Sequence, residues 1–212
     1  MLGIEYVADT FRIATVIVPV AVYFLILGIL NTRRHPQLLT CRRDFALMAG
    51  ALSPMFAIPL LGLVGATALT AAAIFAGLLG LVVLLLPRHT GWVIYNLSAS
   101  QARKIIASVL ASLNADYREV ADGFELPASS TRIRVSGFSL LRNVSIRLEG
   151  TSPEFAKPFG AALHRAVAAS PAESTPMATA MLLIATAMLL APLTLVARRV
   201  PEIVRVLTDL LP

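Results

Sequence analysis

The stretch from Ala46 to Pro87 contains no Asp, Glu, Lys, Arg or His. A helix rises about 1.5 Å per residue, so about 20 apolar residues cross a hydrocarbon layer about 30 Å thick. This stretch is roughly twice that length. It predicts two spanning helices, 46–63 and 66–87, joined by a tight turn near Gly62 and Gly65. A soluble fold would have to bury such a stretch on every side, which few cores do.

Two more uncharged runs flank it, Ile13 to Leu30 and Met177 to Ala197. Each is long enough to cross once, so the expected fold is an α-helical integral membrane protein with four transmembrane helices, 13–30, 46–63, 66–87 and 177–197. Composition agrees: 57% of residues are apolar and 14% charged, against about 25% charged in ordinary soluble chains. The start, Met1 to Arg12, lacks a basic region ahead of the first run, so that run reads as a retained helix and not a cleaved signal. Ser53-Pro54 and Pro59 predict a kink in the second span. After Arg198-Arg199, the tail from Val200 has an apolar face suited to lying along the membrane surface.

The formal charge is +6. No nucleic-acid motif accompanies the dispersed arginines, so nucleic acid is not an expected partner. The loop from Asn31 to Phe45 carries Arg33, Arg34, Arg42 and Arg43 against Asp44 alone. Short loops of that bias stay in the cytoplasm. They predict both termini outside and the loop beside anionic lipid headgroups, in a plasma (inner) membrane. Arg198 and Arg199 run against this orientation. In the third span Ala66, Thr70, Ala73 and Gly77 share one face. Small residues let helices approach closely in lipid, so the stripe is expected to pack on another helix, in the same chain or in a homo-oligomer.

Between the third and fourth spans the period changes. Residues 88–174 read as a small α+β two-layer domain in the order β-α-β-β-β-β-α, between a membrane region 1–87 and a closing region 175–212. Trp92 to Leu97 suits a short strand, with Trp92 and Tyr95 expected at the membrane interface. Ser98 and Gln101 match a capping box, and Asn114 suits a left-handed helix stop. Tyr117 to Leu126 reads as a hairpin turning on Asp122-Gly123. Thr131 to Ser136 and Asn143 to Glu149 alternate polar and apolar residues, which puts Ile133, Val135, Val144, Ile146 and Leu148 on a core face. A last helix opens after Ser152-Pro153, with Pro158 expected to delay its regular part by a turn. In outline this resembles ferredoxin-like modules, with no signature residue of any family.

Catalysis needs a convergent set of groups, and the sequence shows none. His35, His89 and His164 stand in no metal-binding spacing, and Cys41 is the lone cysteine, so no intrachain disulfide forms. Asp116, Glu119, Asp122 and Glu125 cluster without a calcium-loop pattern. No phosphate-binding glycine loop is present. No catalytic residue, metal or cofactor is therefore expected. The leading expectation is a non-enzymatic membrane anchor or accessory subunit that presents a cytoplasmic α+β domain to other subunits. A component of an oligomeric channel or transporter is the alternative, and a lipid-acting membrane enzyme a third.

Overall fold

The structure, a computed structural model, describes residues 2–64, 67–138, 142–171 and 176–210. Its elements in chain order are α1 (Leu2–Thr32), β1 (Gln37–Thr40), α2 (Cys41–Val64), α3 (Ala68–Leu85), β2 (Gly91–Tyr95), α4 (Ala99–Ser112), β3 (Arg118–Val120), β4 (Gly123–Leu126), β5 (Thr131–Phe138), β6 (Asn143–Glu149), α5 (Pro153–Ala168) and α6 (Pro176–Leu210). They divide into two units. One comprises residues 1–26, 48–84 and 181–212, the other 27–47 and 85–180.

The second unit is a mixed α+β fold. Its sheet has six strands in the order β1-β2-β6-β5-β4-β3, and every pair is antiparallel. Alternation decides its faces. Phe124, Leu126, Ile133, Val135, Val144, Ile146 and Leu148 are buried in one core with Ile106 and Leu110 of α4 and Phe159 and Leu163 of α5. Arg134, Ser136, Ser145 and Arg147 point the other way and stay exposed. Fully burying one such apolar side chain contributes about 1.5–3 kcal/mol. A one-residue slip would turn the whole apolar set to the wrong face.

Local signals hold the helices in place. Gln101 N–H donates to Ser98 Oγ at 3.3 Å, and Ser98 N–H donates back to Gln101 Oε1 at 3.3 Å. That reciprocal box starts α4 where the sequence predicts. Asn114 ends it in the left-handed region, at φ +49°. Ser152 caps α5 with Pro153 in its first turn. Pro158 does not delay this helix, which is regular from Pro153 and carries the proline inside. Its buried Phe159, Ala162 and Leu163 pin that stretch to the sheet core.

Several expectations are corrected. The hairpin turns on Ala121-Asp122, because Val120 already pairs with Gly123. Gly123 instead opens β4 at φ +151°, where an added Cβ would meet Ile133 O at 1.8 Å. That approach and the positive φ, and not a left-handed turn, are what require glycine. Trp92 and Tyr95 pack within the domain. The Trp92 ring lies 5.8 Å from that of Phe159, and Tyr95 is 3% exposed. The strand order also departs from a ferredoxin-like plan, which repeats a split β-α-β unit. Here β3, β4, β5 and β6 follow one another as a plain meander.

The largest correction is β1. Gln37–Thr40 lies in the arginine-rich loop and outside the expected domain, yet it forms the edge strand beside β2 in the register Leu38↔Ile94 and Leu39↔Val93. The sheet is therefore assembled from two chain segments separated by α2 and α3.

The first unit holds most of the length of the apolar helices. Among the described residues four helices are long and apolar enough to cross a membrane, with qualifying stretches Ala14–Thr32, Cys41–Val64, Ala68–Leu85 and Pro176–Thr194. Both prolines of α2 stand within one assigned helix. Thr67 caps α3, its hydroxyl accepting from Thr70 N–H at 3.2 Å. The expected surface tail is not a separate element, because α6 runs on through Pro192 and Pro201 to Leu210. Likewise α1 reaches back to Leu2, well ahead of the apolar run.

Candidate functional site

The four loop arginines do not form one group. Arg33 and Arg34 follow α1, Arg42 and Arg43 stand in the first turn of α2, and β1 lies between the pairs. A four-residue strand is roughly 13 Å long at about 3.3 Å per residue. All four side chains are exposed.

The first pair belongs to a hydrogen-bonded tie. Asn31, 1% exposed, donates from Nδ2 to Leu27 O at 2.9 Å and accepts at Oδ1 from Asn96 N–H at 3.1 Å. Asn96 Nδ2 donates to Arg33 O at 2.9 Å. Asn96 itself is left-handed, at φ +63°. The end of α1 is thus fastened to the end of β2 through buried polar groups. Arg33 Nη1 also donates to Gln37 Oε1 at 3.4 Å.

Of the second pair, Arg42 comes beside another cation. Arg42 Nε donates to Pro87 O at 3.2 Å, beside exposed Arg88. A Cβ placed on Gly91 would stand 3.0 Å from Cys41 Sγ and 3.5 Å from Arg147 Cα. The start of α2 therefore comes over the β2–β6 pair on the face that carries Arg147. Asp44, the acid of this turn, accepts a hydrogen bond from the Tyr95 hydroxyl. His89 is half-buried, and burial first, then Arg147, lowers its pKa from the usual 6.5, with Glu149 opposing.

Farther along the same face the charges cancel. Arg118, Glu125, Arg132 and Glu149 stand in register across β3, β4, β5 and β6. Arg132 reaches Asp122 at 3.0 Å and Glu125 at 3.6 Å. Arg134 reaches Glu149 at 3.3 Å and Asp122 at 3.5 Å. The hydrogen bond from Arg132 holds the Asp122 carboxyl below its ordinary range. Two of the four clustered carboxylates, Asp122 and Glu125, thus serve as counterions on the sheet. Glu119 pairs with Arg103 at 3.4 Å, and Asp116 is exposed. Among the described residues, no three His, Cys, Asp or Glu side chains come together as a metal site.

Of the small-residue stripe, Ala66 lies outside the described residues. Thr70 is half-buried, and its hydroxyl donates to Thr67 O at 3.0 Å. Ala73 and Gly77 are exposed, and a Cβ on Gly77 would meet nothing within 4 Å. Among the described residues the stripe has no close neighbour at Gly77.

Sequence reasoning missed Arg88 and Arg147 because they stand far along the chain from the arginine-rich loop. Only the pairing of β1 with β2, and of β2 with β6, brings them to the start of α2. No protein-family model matches this chain, and neither a curated protein nor a solved structure matches it.

Proposed function

We propose that the chain is an integral membrane protein that anchors or completes a larger assembly, presenting its α+β domain to partner subunits without catalysing a reaction. The pairing of β1 with β2 carries this reading. Both strands belong to one sheet, so Thr40 and Gly91 share one side of any membrane that the chain between them crosses. That demands an even number of crossings, which α2 and α3 supply as two spans. The links are short: β1 passes directly into α2, and few residues separate α3 from β2. A domain threaded through the spans in this way is suited to fixed presentation on the membrane and not to a free tether. The arginine-rich loop favours the cytoplasmic side of a plasma or inner membrane for the sheet.

Purification of the full chain from native membranes tests the role. A partner retained in fixed stoichiometry is expected. A chain that purifies alone and conducts ions or solutes in liposomes would replace this reading with an oligomeric channel, to which the open face of α3 lends itself. Orientation has its own test, labelling Ser129→Cys in a Cys41→Ser background. Ser129 is exposed on the domain, so labelling only after the cells are opened is expected. Labelling of intact cells would reverse the topology.

A further inference from the structure

On the open face of the sheet, Arg134 and Arg147 stand directly opposite each other on β5 and β6. Like charges so placed repel. Arg134 is compensated by Asp122 and Glu149. Among the described residues Arg147 has no carboxylate partner, and neither have Arg42, Arg43 and Arg88. The nearby acid Asp44 is engaged by Tyr95. Arg42 and Arg43 also occupy the first turn of α2, where the helix dipole disfavours cations. The fold thus gathers four arginines at one end of the sheet, where the nearby acids, Asp44 and Glu149, are already engaged by Tyr95 and Arg134.

The chain fixes the level of this end. Arg42 and Arg43 begin the apolar stretch Cys41–Val64, and Arg88 follows the apolar α3 after Leu85. Where both helices span a bilayer, these side chains emerge at the headgroups. We propose that Arg42, Arg43, Arg88 and Arg147 form a composite site for the phosphate of an anionic phospholipid in the adjoining leaflet. This deepens the membrane reading above and rests on α2 and α3 as spans. Guanidinium groups suit the role because they donate to phosphate through two parallel hydrogen bonds. Arg147 sets this site apart from a simple loop signal: it comes from the sheet, and only the folded domain delivers it.

The test uses the purified full chain in uncharged detergent. Its one tryptophan, Trp92, pairs with Thr40 at the start of α2 and serves as the reporter. Short-chain phosphatidylglycerol should produce a saturable change in Trp92 fluorescence, with phosphatidylcholine and inorganic phosphate much weaker. Arg42→Gln and Arg147→Gln should each weaken binding about tenfold, the scale of one charge-assisted hydrogen bond. Lys104→Gln removes an exposed charge on α4 and should change it little. If Arg147→Gln also lowers the thermal midpoint, Arg88→Gln, outside every helix and strand, decides the matter by the same tenfold criterion. Equal loss in Lys104→Gln would reduce the effect to overall charge and overturn the site. Saturation by phosphatidylcholine at the same concentrations would also overturn it, and inorganic phosphate binding as well as the lipid would exclude lipid as the source. None of these readings depends on a protein partner, and the labelling experiment tests the side of the membrane separately.

Discussion

Helices α3 and α4 are similar in length and opposite in what surrounds them. Over its 14 residues α4 buries Ala102, Ile106, Val109 and Leu110 and turns polar side chains outward. The 18 residues of α3 are uncharged, all but Thr70 without a polar side chain, and none is fully buried. Leu69 and Phe75 of α3 are 82% and 70% exposed. Water suits the outer face of α4, because its polar groups stay hydrated while one stripe is packed. It does not suit α3, which exposes apolar surface everywhere but along a half-buried stripe at Thr70, Ala71, Ile74, Leu78 and Val82. The same chain thus uses two strategies: periodic burial against its own sheet, and uniform apolarity that needs lipid or another helix around it.

The widest gap between the two regions should appear on adding a charge. Ile146 is fully buried at the centre of the sheet, and Ile146→Asp should cost more than about 4 kcal/mol, at the top of single-substitution effects. The cooperative thermal transition of the domain, followed through Trp92 on the neighbouring strand, should vanish. A normal transition would mean that the sheet core is not the one described.

A smaller effect asks where the domain ends. Asn31→Ala would leave the buried Asn96 N–H without its acceptor, a loss of about 1–3 kcal/mol. The domain's midpoint should fall although the residue lies far outside segment 90–170. For the same reason that segment expressed alone, without β1 and Asn31, should melt below the domain in the full chain. Equal midpoints would detach β1 from the folded unit and weaken the argument for paired spans.

Gly77→Leu probes the other region. Its Cβ meets nothing within 4 Å, so the chain's own stability should move by less than about 0.5 kcal/mol, as for Ile74→Leu. Sedimentation in detergent completes the test. A change of oligomeric state in Gly77→Leu alone would show that another copy, and not lipid, covers this face of α3.

The smallest effect is electrostatic. The Arg132 hydrogen bond lowers the folded pKa of Asp122 below its ordinary 3.8. Its contribution is therefore complete above that ordinary value and is lost as pH falls through the folded one. Midpoints of the wild type and Asp122→Asn should differ by a constant amount above about pH 5 and converge below about pH 4. The pair is exposed and salt should shrink the difference. A difference that grows in acid would reverse the sign.

Patterns that live within a few residues were legible in the sequence. The alternation of β5 and β6, the Ser98–Gln101 box and the Asn114 stop each act through neighbours along the chain, and the structure bears them out. The hairpin was legible, but its turn residues were not. An Asp-Gly pair allows a turn, whereas pairing with β5 chose which residues occupy it. Of the candidate site, Arg42 and Arg43 were visible as a charge cluster. Their separation from Arg33 and Arg34 was not, since four loop residues carry no period that announces a strand.

By itself the sequence determined the classes of its segments: four helices long and apolar enough to cross a membrane, and an alternating region able to cover one sheet face. These follow from composition and period, which are local quantities. Tertiary structure alone decided that Gln37–Thr40 completes the sheet, that Asn31 fastens α1 to β2, and that Arg147 comes near the start of α2. Each depends on hydrogen bonds or packing between residues far apart in the chain. Such contacts are selected by the geometry of the whole fold, and a short segment carries no trace of them before its partner is in place.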